Sequence, residues 1–447
     1  MLIYNHLETI AICYIFFAIV AAIFVIDKVA RTKKISIMSM CNVMYLLILC
    51  VVPAIILFGY TNDLRNTSGI IFSKNTVWTF YLQLVLTVIG YLFLQLGYMI
   101  KQRESKPYAE LPKQKNLFIS VLFTLISAIS LVLWASGYGG VSELVANAAR
   151  IRAGMLSSTN AFAFFKHFVP LSLLSSWMLF SVLLRKEVKG FLRTLGILLC
   201  FICNIALSSI YLQANDGRLL VAAYVLLFFI IFFKYQYEVK KANMAPMLVK
   251  FGIVFVFAVV ILFNADTILR LMRNESNVVV NDDSSLINTI MREFTFIIAG
   301  AQTALLRYES AEGDLMIVND IVNGLFAWLP TSLKPIRLED VWDYNTKLII
   351  SDSYGQSPTS IVAQSVYDLG LLGVIIIPFL YGLFIRKVEN ILEKRRGIVF
   401  YDTIYVALGY YLSKGLPYFS LYNIMLNIFF IFVALIIYGV VQKIEIR

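Results

Sequence analysis

The sequence predicts an all-α, polytopic integral membrane protein with about eleven transmembrane helices, ten to twelve by the rule that about 20 apolar residues cross a bilayer. Three observations predict it. Of the 447 residues, 60% are hydrophobic and only 15% charged, against about 25% charged in soluble domains. Mean hydropathy is +0.80. The basic residues fall in clusters at every second connection between apolar runs.

In chain order, the predicted spans lie at 7–27, 40–60, 77–100, 117–136, 163–184, 194–212, 217–233, 251–270, 361–385, 398–413 and 421–441. The first run, from Leu7 to Ile26, has neither a basic segment before it nor a small-residue cleavage site after it, so it reads as a retained span. All five cysteines, Cys13, Cys41, Cys50, Cys200 and Cys203, stand in apolar runs. A disulfide framework is therefore not expected, and Cys200 and Cys203 read as two residues of one span.

Most of the 38 Lys and Arg residues fall between spans one and two (Lys28 to Lys34), three and four (Lys101 to Lys115), five and six (Arg185 to Arg193), seven and eight (Lys234 to Lys250), nine and ten (Arg386 to Arg396), and at Lys443 and Arg447. By the positive-inside rule these connections face the cytoplasm, the N-terminus faces outward and the C-terminus inward. The formal charge of +11 then reflects orientation and attraction to anionic lipid, not a nucleic-acid partner.

This pattern divides the chain into an N-terminal bundle (1–263), a long polar loop on the outward side (264–360) and a C-terminal group of helices (361–447). The loop carries Trp328, Trp342, Tyr344 and Tyr354, too many aromatics for a solvated tail. A segment that long is unusual unless functional. Within it, Leu286 to Leu306 is nearly apolar enough to span but contains Arg292 and Glu293. It reads as an amphipathic helix at the outer leaflet.

Outward-facing cations recur. Arg218 stands at the mouth of a span, after the short turn Gln213-Ala214-Asn215-Asp216-Gly217, where a cation near hydrocarbon calls for an anionic partner or for snorkelling. Arg150 and Arg152 lie in another outward connection, and Arg270, Arg273 and Arg292 in the long loop. Arginine suits phosphate because its planar fork donates bidentately and stays charged. The stretch Asp352-Ser353-Tyr354-Gly355-Gln356-Ser357-Pro358-Thr359-Ser360 leads into a helix, with Ser357 as predicted N-cap and Pro358 at its first position. Gln364 and Asp368 then fall four apart on one helix face. An Asp at a span is a functional candidate, unless it merely sits at headgroup level.

Walker, dinucleotide, zinc-protease and nucleophile-elbow motifs are absent. His167 reads as interfacial. The adjacent Asp282 and Asp283 are too few for a ligand set, so no metal and no cofactor is expected.

The span layout, the long outward loop before the last three spans, the outward arginines and the stretch Ser357-Pro358-Thr359-Ser360-Ile361 with Tyr367-Asp368-Leu369-Gly370-Leu371-Leu372-Gly373 together resemble the bacterial O-antigen, or oligosaccharide repeat-unit, polymerases of the Wzy type. That resemblance implies a metal-independent glycosyltransferase of the bacterial inner membrane. It would use undecaprenyl-pyrophosphate-linked oligosaccharide on the periplasmic side, and it admits a polysaccharide chain-length regulator among its partners. Arg218 and Arg292 are the implied pyrophosphate ligands, with Arg152 and Arg273 as weaker matches. Asp368, Asp352 and Glu293 are the candidate bases for the acceptor hydroxyl. The alternatives are an O-antigen ligase-like enzyme, which commonly uses a loop histidine that this loop lacks, and a lipid-linked oligosaccharide flippase or other transporter.

Overall fold

The computed structural model describes residues 2–58, 77–100, 115–152, 155–156, 158, 160–216, 218–242, 294–310, 315–329, 333–336, 338–349 and 357–443. Among these residues the regular structure is helical throughout. Among the described residues nine helices are long and apolar enough to cross a membrane, which makes the chain a multi-pass membrane protein. They coincide with nine of the predicted spans. The predicted span at 251–270 lies outside the described residues. That at 398–413 is a helix, Val399–Lys414, of 16 residues, shorter than the roughly 20 a full crossing takes.

The chain forms two compact units. The first comprises Met1–Ser105, Asp282–Ile391 and Gly409–Asn427, and the second Lys106–Asn281, Leu392–Leu408 and Ile428–Arg447.

In the first unit, α1 (Leu2–Thr32) packs against α2 (Ile37–Phe58) and α3 (Val77–Met99). Ser36 caps α2 by accepting from Ser39 N at 2.9 Å, and a π-helical turn, Leu47–Val51, interrupts it. Contact between α3 and the later helix Gly373–Glu393 depends on two glycines. A Cβ at Gly97 would lie 2.0 Å from Phe379 O, and one at Gly382 2.2 Å from Leu94 O. No other residue allows backbones so close, which is how membrane helices gain packing without a hydrophobic driving force.

In the second unit, α4 (Asn116–Ser136), α7 (Leu171–Arg185) and α8 (Phe191–Tyr211) form a three-helix core, with α9 (Arg218–Lys234) against α7. The short helices α5 (Val141–Ala146) and α6 (Ala148–Arg152) follow α4. Polar side chains knit this core. Asn204 Nδ2 donates to Thr124 Oγ1 at 2.7 Å, Ser208 Oγ to Ser172 Oγ at 3.0 Å, and Tyr224 OH to Ser176 Oγ at 2.8 Å. Cys200 and Cys203 are free thiols on α8, like the other three cysteines, as the sequence led us to expect.

The described part of the long polar segment is folded, not extended. It forms α10 (Phe296–Ser310), α11 (Ile317–Leu325) and α12 (Val341–Ile349). α13 (Ile361–Leu369) follows, and then α14 (Gly373–Glu393), α15 (Val399–Lys414) and α16 (Leu421–Lys443). The tryptophans anchor this described part. Trp328 Nε1 donates to Met425 O at 2.7 Å, and the buried Trp342 donates through Nε1 to Phe419 O at 3.1 Å.

Candidate active site

The segment before α13 departs from the predicted capping. Ser360, not Ser357, is the N-cap: its Oγ accepts from Ala363 N at 3.3 Å. The helix is held back because the backbone ahead of it is already paired. Ile361 N donates to Leu416 O and Phe419 N to Thr359 O, both at 2.7 Å. Ser357 N is taken by Thr346 Oγ1 at 2.8 Å. Residues 357–360 thus run as an extended strap along the connection between α15 and α16.

That register carries Gln364 and Asp368 into the protein. Both are fully buried within the protein. Gln364 Nε2 donates to both carboxylate oxygens of Asp368, at 3.1 and 3.3 Å. Thr359 Oγ1 donates to Gln364 Oε1 at 2.8 Å and fixes which way the amide points. Among the described residues no cation forms a salt bridge with Asp368. Among the described residues the carboxylate is held by the neutral Gln364 amide.

α13 ends where Gly370 takes φ +65°, and a Cβ there would come within 2.9 Å of the Tyr308 ring. Around this end three loop helices converge. Arg307 of α10 lies over the Tyr344 ring, 4.4 Å from its centroid, and 5.6 Å from that of Tyr367. Both distances are within cation–π range. The two rings meet edge to face at 5.9 Å. Arg307 NH1 also donates to Met316 Sδ at 2.9 Å. Tyr367 OH donates to Asn345 Oδ1 at 2.5 Å. Asn345 is fully buried, and among the described residues its Nδ2 finds no acceptor; it faces Gly300 of α10, where any side chain would crowd it.

Asp320 of α11 completes the cluster. It is buried and accepts from Leu421 N through both oxygens, at 3.0 and 3.3 Å, so it caps the start of α16 from a distance in sequence. Burial pushes its carboxyl up to about 7, the negative charge of Asp340 adds to the rise, and the Leu421 N–H opposes it. Met316 N donates to Tyr367 O at 3.0 Å and ties α11 to α13.

Comparison with known proteins returns nothing. No family model, curated protein or solved structure matches this chain. The reading of the site therefore rests on its own geometry.

Of the sequence-predicted residues, Asp368 stands in this cluster. Arg218 opens α9 and Arg152 closes α6. The side chains of both lie outside what is described, but α6 packs on the π turn Leu212–Asp216 just before Arg218, so the structure makes those two chain segments neighbours in the second unit. Arg273, Arg292, Glu293 and Asp352 lie outside the described residues. His167 ends a 3-10 turn and packs edge-on to Phe164 and Phe429.

Sequence reasoning missed Arg307, Asp320, Tyr344 and Asn345. The available signal was helical spacing: Tyr344 falls three residues after Val341 and Asn345 four after it, so both lie near the face by which α12 packs. Nothing local marks Arg307 as different from an ordinary helix-terminal cation.

Proposed function

We propose that this protein is a membrane glycosyltransferase that lengthens undecaprenyl-pyrophosphate-linked oligosaccharide on the outward face of the inner membrane, transferring the growing chain to a new lipid-linked repeat unit. The observation that carries the reading is that the end of α13 holds Tyr367, on which Arg307 of the long polar segment is seated, and next to it in the chain the buried carboxylate of Asp368.

Cleavage of a sugar–phosphate bond develops negative charge on the pyrophosphate, and preorganised cations stabilise it. Arg307 is seated for that role by Tyr344 and Tyr367. Arg218 and Arg292, with Arg152 and Arg273, are the pyrophosphate ligands that the resemblance implies. The acceptor hydroxyl loses a proton as it attacks, and Asp368 takes it, with Gln364 orienting the carboxylate. Because Asp368 is enclosed, the acceptor reaches it only once the packing around α13 opens. The donor lipid already carries the activated sugar, so the scheme uses neither nucleotide nor metal.

The decisive experiment supplies purified full-length protein with undecaprenyl-pyrophosphate-linked repeat units alone. Longer saccharide and free undecaprenyl pyrophosphate are expected. A requirement for a lipid A-core acceptor would indicate a ligase, and a requirement for a divalent ion would overturn the mechanism.

A transporter is the second reading, and the hydroxyls and amides of the three-helix core in the second unit favour it. Most of those hydroxyls, however, donate to backbone carbonyls: Ser175 to Ser120 O at 2.9 Å, Ser176 to Leu173 O at 2.7 Å and Ser181 to Trp177 O at 2.9 Å. That pattern suits helix–helix adhesion. Movement of the lipid-linked unit across vesicles without lengthening would decide for transport.

A further inference from the structure

The second unit holds a charged cavity that the reaction above does not use. Its volume is about 220 Å3, the space of about seven waters at ~30 Å3 each. Arg185 ends α7 and Lys234 ends α9, where the π turn Tyr235–Val239 supplies Glu238. Arg396 comes from the turn before α15 and Asp402 from its first residues.

The pairing is uneven. Arg185 NH2 reaches Asp402 Oδ2 at 2.6 Å, whereas Lys234, at 3.2 Å, and Arg396 both rest on the single carboxylate of Glu238. Among the described residues the lining carries three basic side chains and two carboxylates. The nearby Glu187 does not line the cavity and accepts from Asn116 Nδ2 at 3.2 Å. Lys234 also lies 3.9 Å from the Tyr405 ring centroid. Glu238 is almost fully withdrawn from water, and Lys234 and Arg185 largely so. Leu184, Ile231, Val239 and Val406 complete the wall.

We infer that this cavity binds the phosphate of an anionic membrane lipid. The ends of two apolar helices, α7 and α9, place it at headgroup depth. The surplus cation favours an anion, and Arg396, the most exposed of the three at 38% of its side chain, is the one best able to turn toward it. Apolar residues on the same wall receive the start of the acyl chains, which a free phosphate would leave unused. Basic pockets at the ends of membrane helices take anionic head groups in this way.

The test is a thermal-unfolding titration of the delipidated full-length protein in detergent. The probes are a short-chain phosphatidylglycerol, the matching diacylglycerol and inorganic phosphate. Phosphatidylglycerol should give a saturable rise in melting temperature, and diacylglycerol none. Arg396→Gln should weaken the midpoint by roughly 10- to 100-fold, the effect of one charge-assisted hydrogen bond. Val406→Phe keeps every charge but narrows the cavity, so it should also weaken binding and remains informative if Arg396→Gln unfolds. An equal midpoint for inorganic phosphate would overturn the lipid as occupant. Wild-type affinity in Val406→Phe, or no response to phosphatidylglycerol, would overturn the site.

Discussion

The carboxylates at the end of α13 and those around the cavity of the second unit are treated oppositely. Asp368 is held by an amide and Asp320 by a backbone N–H. Glu238 and Asp402 are held by cations. Burial among neutral donors raises the proton affinity of Asp320, whereas Glu238 and Asp402 are built into charge–charge contacts. The difference separates a place suited to proton transfer from one suited to holding charge.

The largest expected effect breaks the first side of that contrast. Asp368→Asn keeps shape and the contact with Gln364 but cannot take a proton, and elongation should fall by roughly 10²- to 10⁴-fold with the protein still present in the membrane. Wild-type polymer length would remove Asp368 from the chemistry.

Arg307→Ala comes next, with an expected loss of about 10²- to 10³-fold. Lysine should restore only part, because the stacked fork is lost. Full activity of Arg307→Ala in the in vitro assay would mean that its seat on Tyr344 and Tyr367 is structural only.

Stability distinguishes the two regions next. Asp402→Asn removes the carboxylate from a largely buried Arg185 guanidinium that, among the described residues, keeps only its bond to Gly397 O at 3.1 Å, so the cost should fall between that of a surface pair and a fully buried one, about 2 kcal/mol, read as a lower melting temperature. No change would show that this ion pair contributes nothing.

Asp320 supplies the pH signature. Burial raises the Asp320 carboxyl, which faces the Asp368 charge, well above its unfolded value near 4, so across that interval the folded state holds the extra proton. Its contribution is therefore greatest below about pH 4, declines as pH rises toward 7, and is level above. Asp320→Asn should flatten that part of the stability profile. An unaltered pH dependence would show that another group is responsible.

The smallest effect tests orientation. Thr359→Val frees the Gln364 amide to rotate away from Asp368, and the rate should drop only about 5- to 10-fold, the value of one neutral hydrogen bond. A loss as deep as that of Asp368→Asn would mean that the threonine does more than orient the amide.

The helices of the membrane were legible in the sequence because the bilayer imposes a local rule: every residue of a span must be mostly apolar and the span must reach a fixed length. Nine spans followed from that rule. So did the i, i+4 relation of Gln364 and Asp368, which depends on helical periodicity alone. The aromatic content of the polar segment likewise foretold that it packs, as Trp328 and Trp342 do.

What the sequence left open, the tertiary structure decided through contacts between residues far apart in the chain. The start of α13 moved to Ser360 because Thr359 and Ile361 bond to Phe419 and Leu416, partners no local pattern announces. Arg307 became distinctive only when α12 and α13 brought Tyr344 and Tyr367 to it. Asp320 acquired its high proton affinity from burial against the start of α16. Local sequence sets which residues form a helix, but the charge state and reach of a side chain depend on what surrounds it, and those surroundings come from the whole chain.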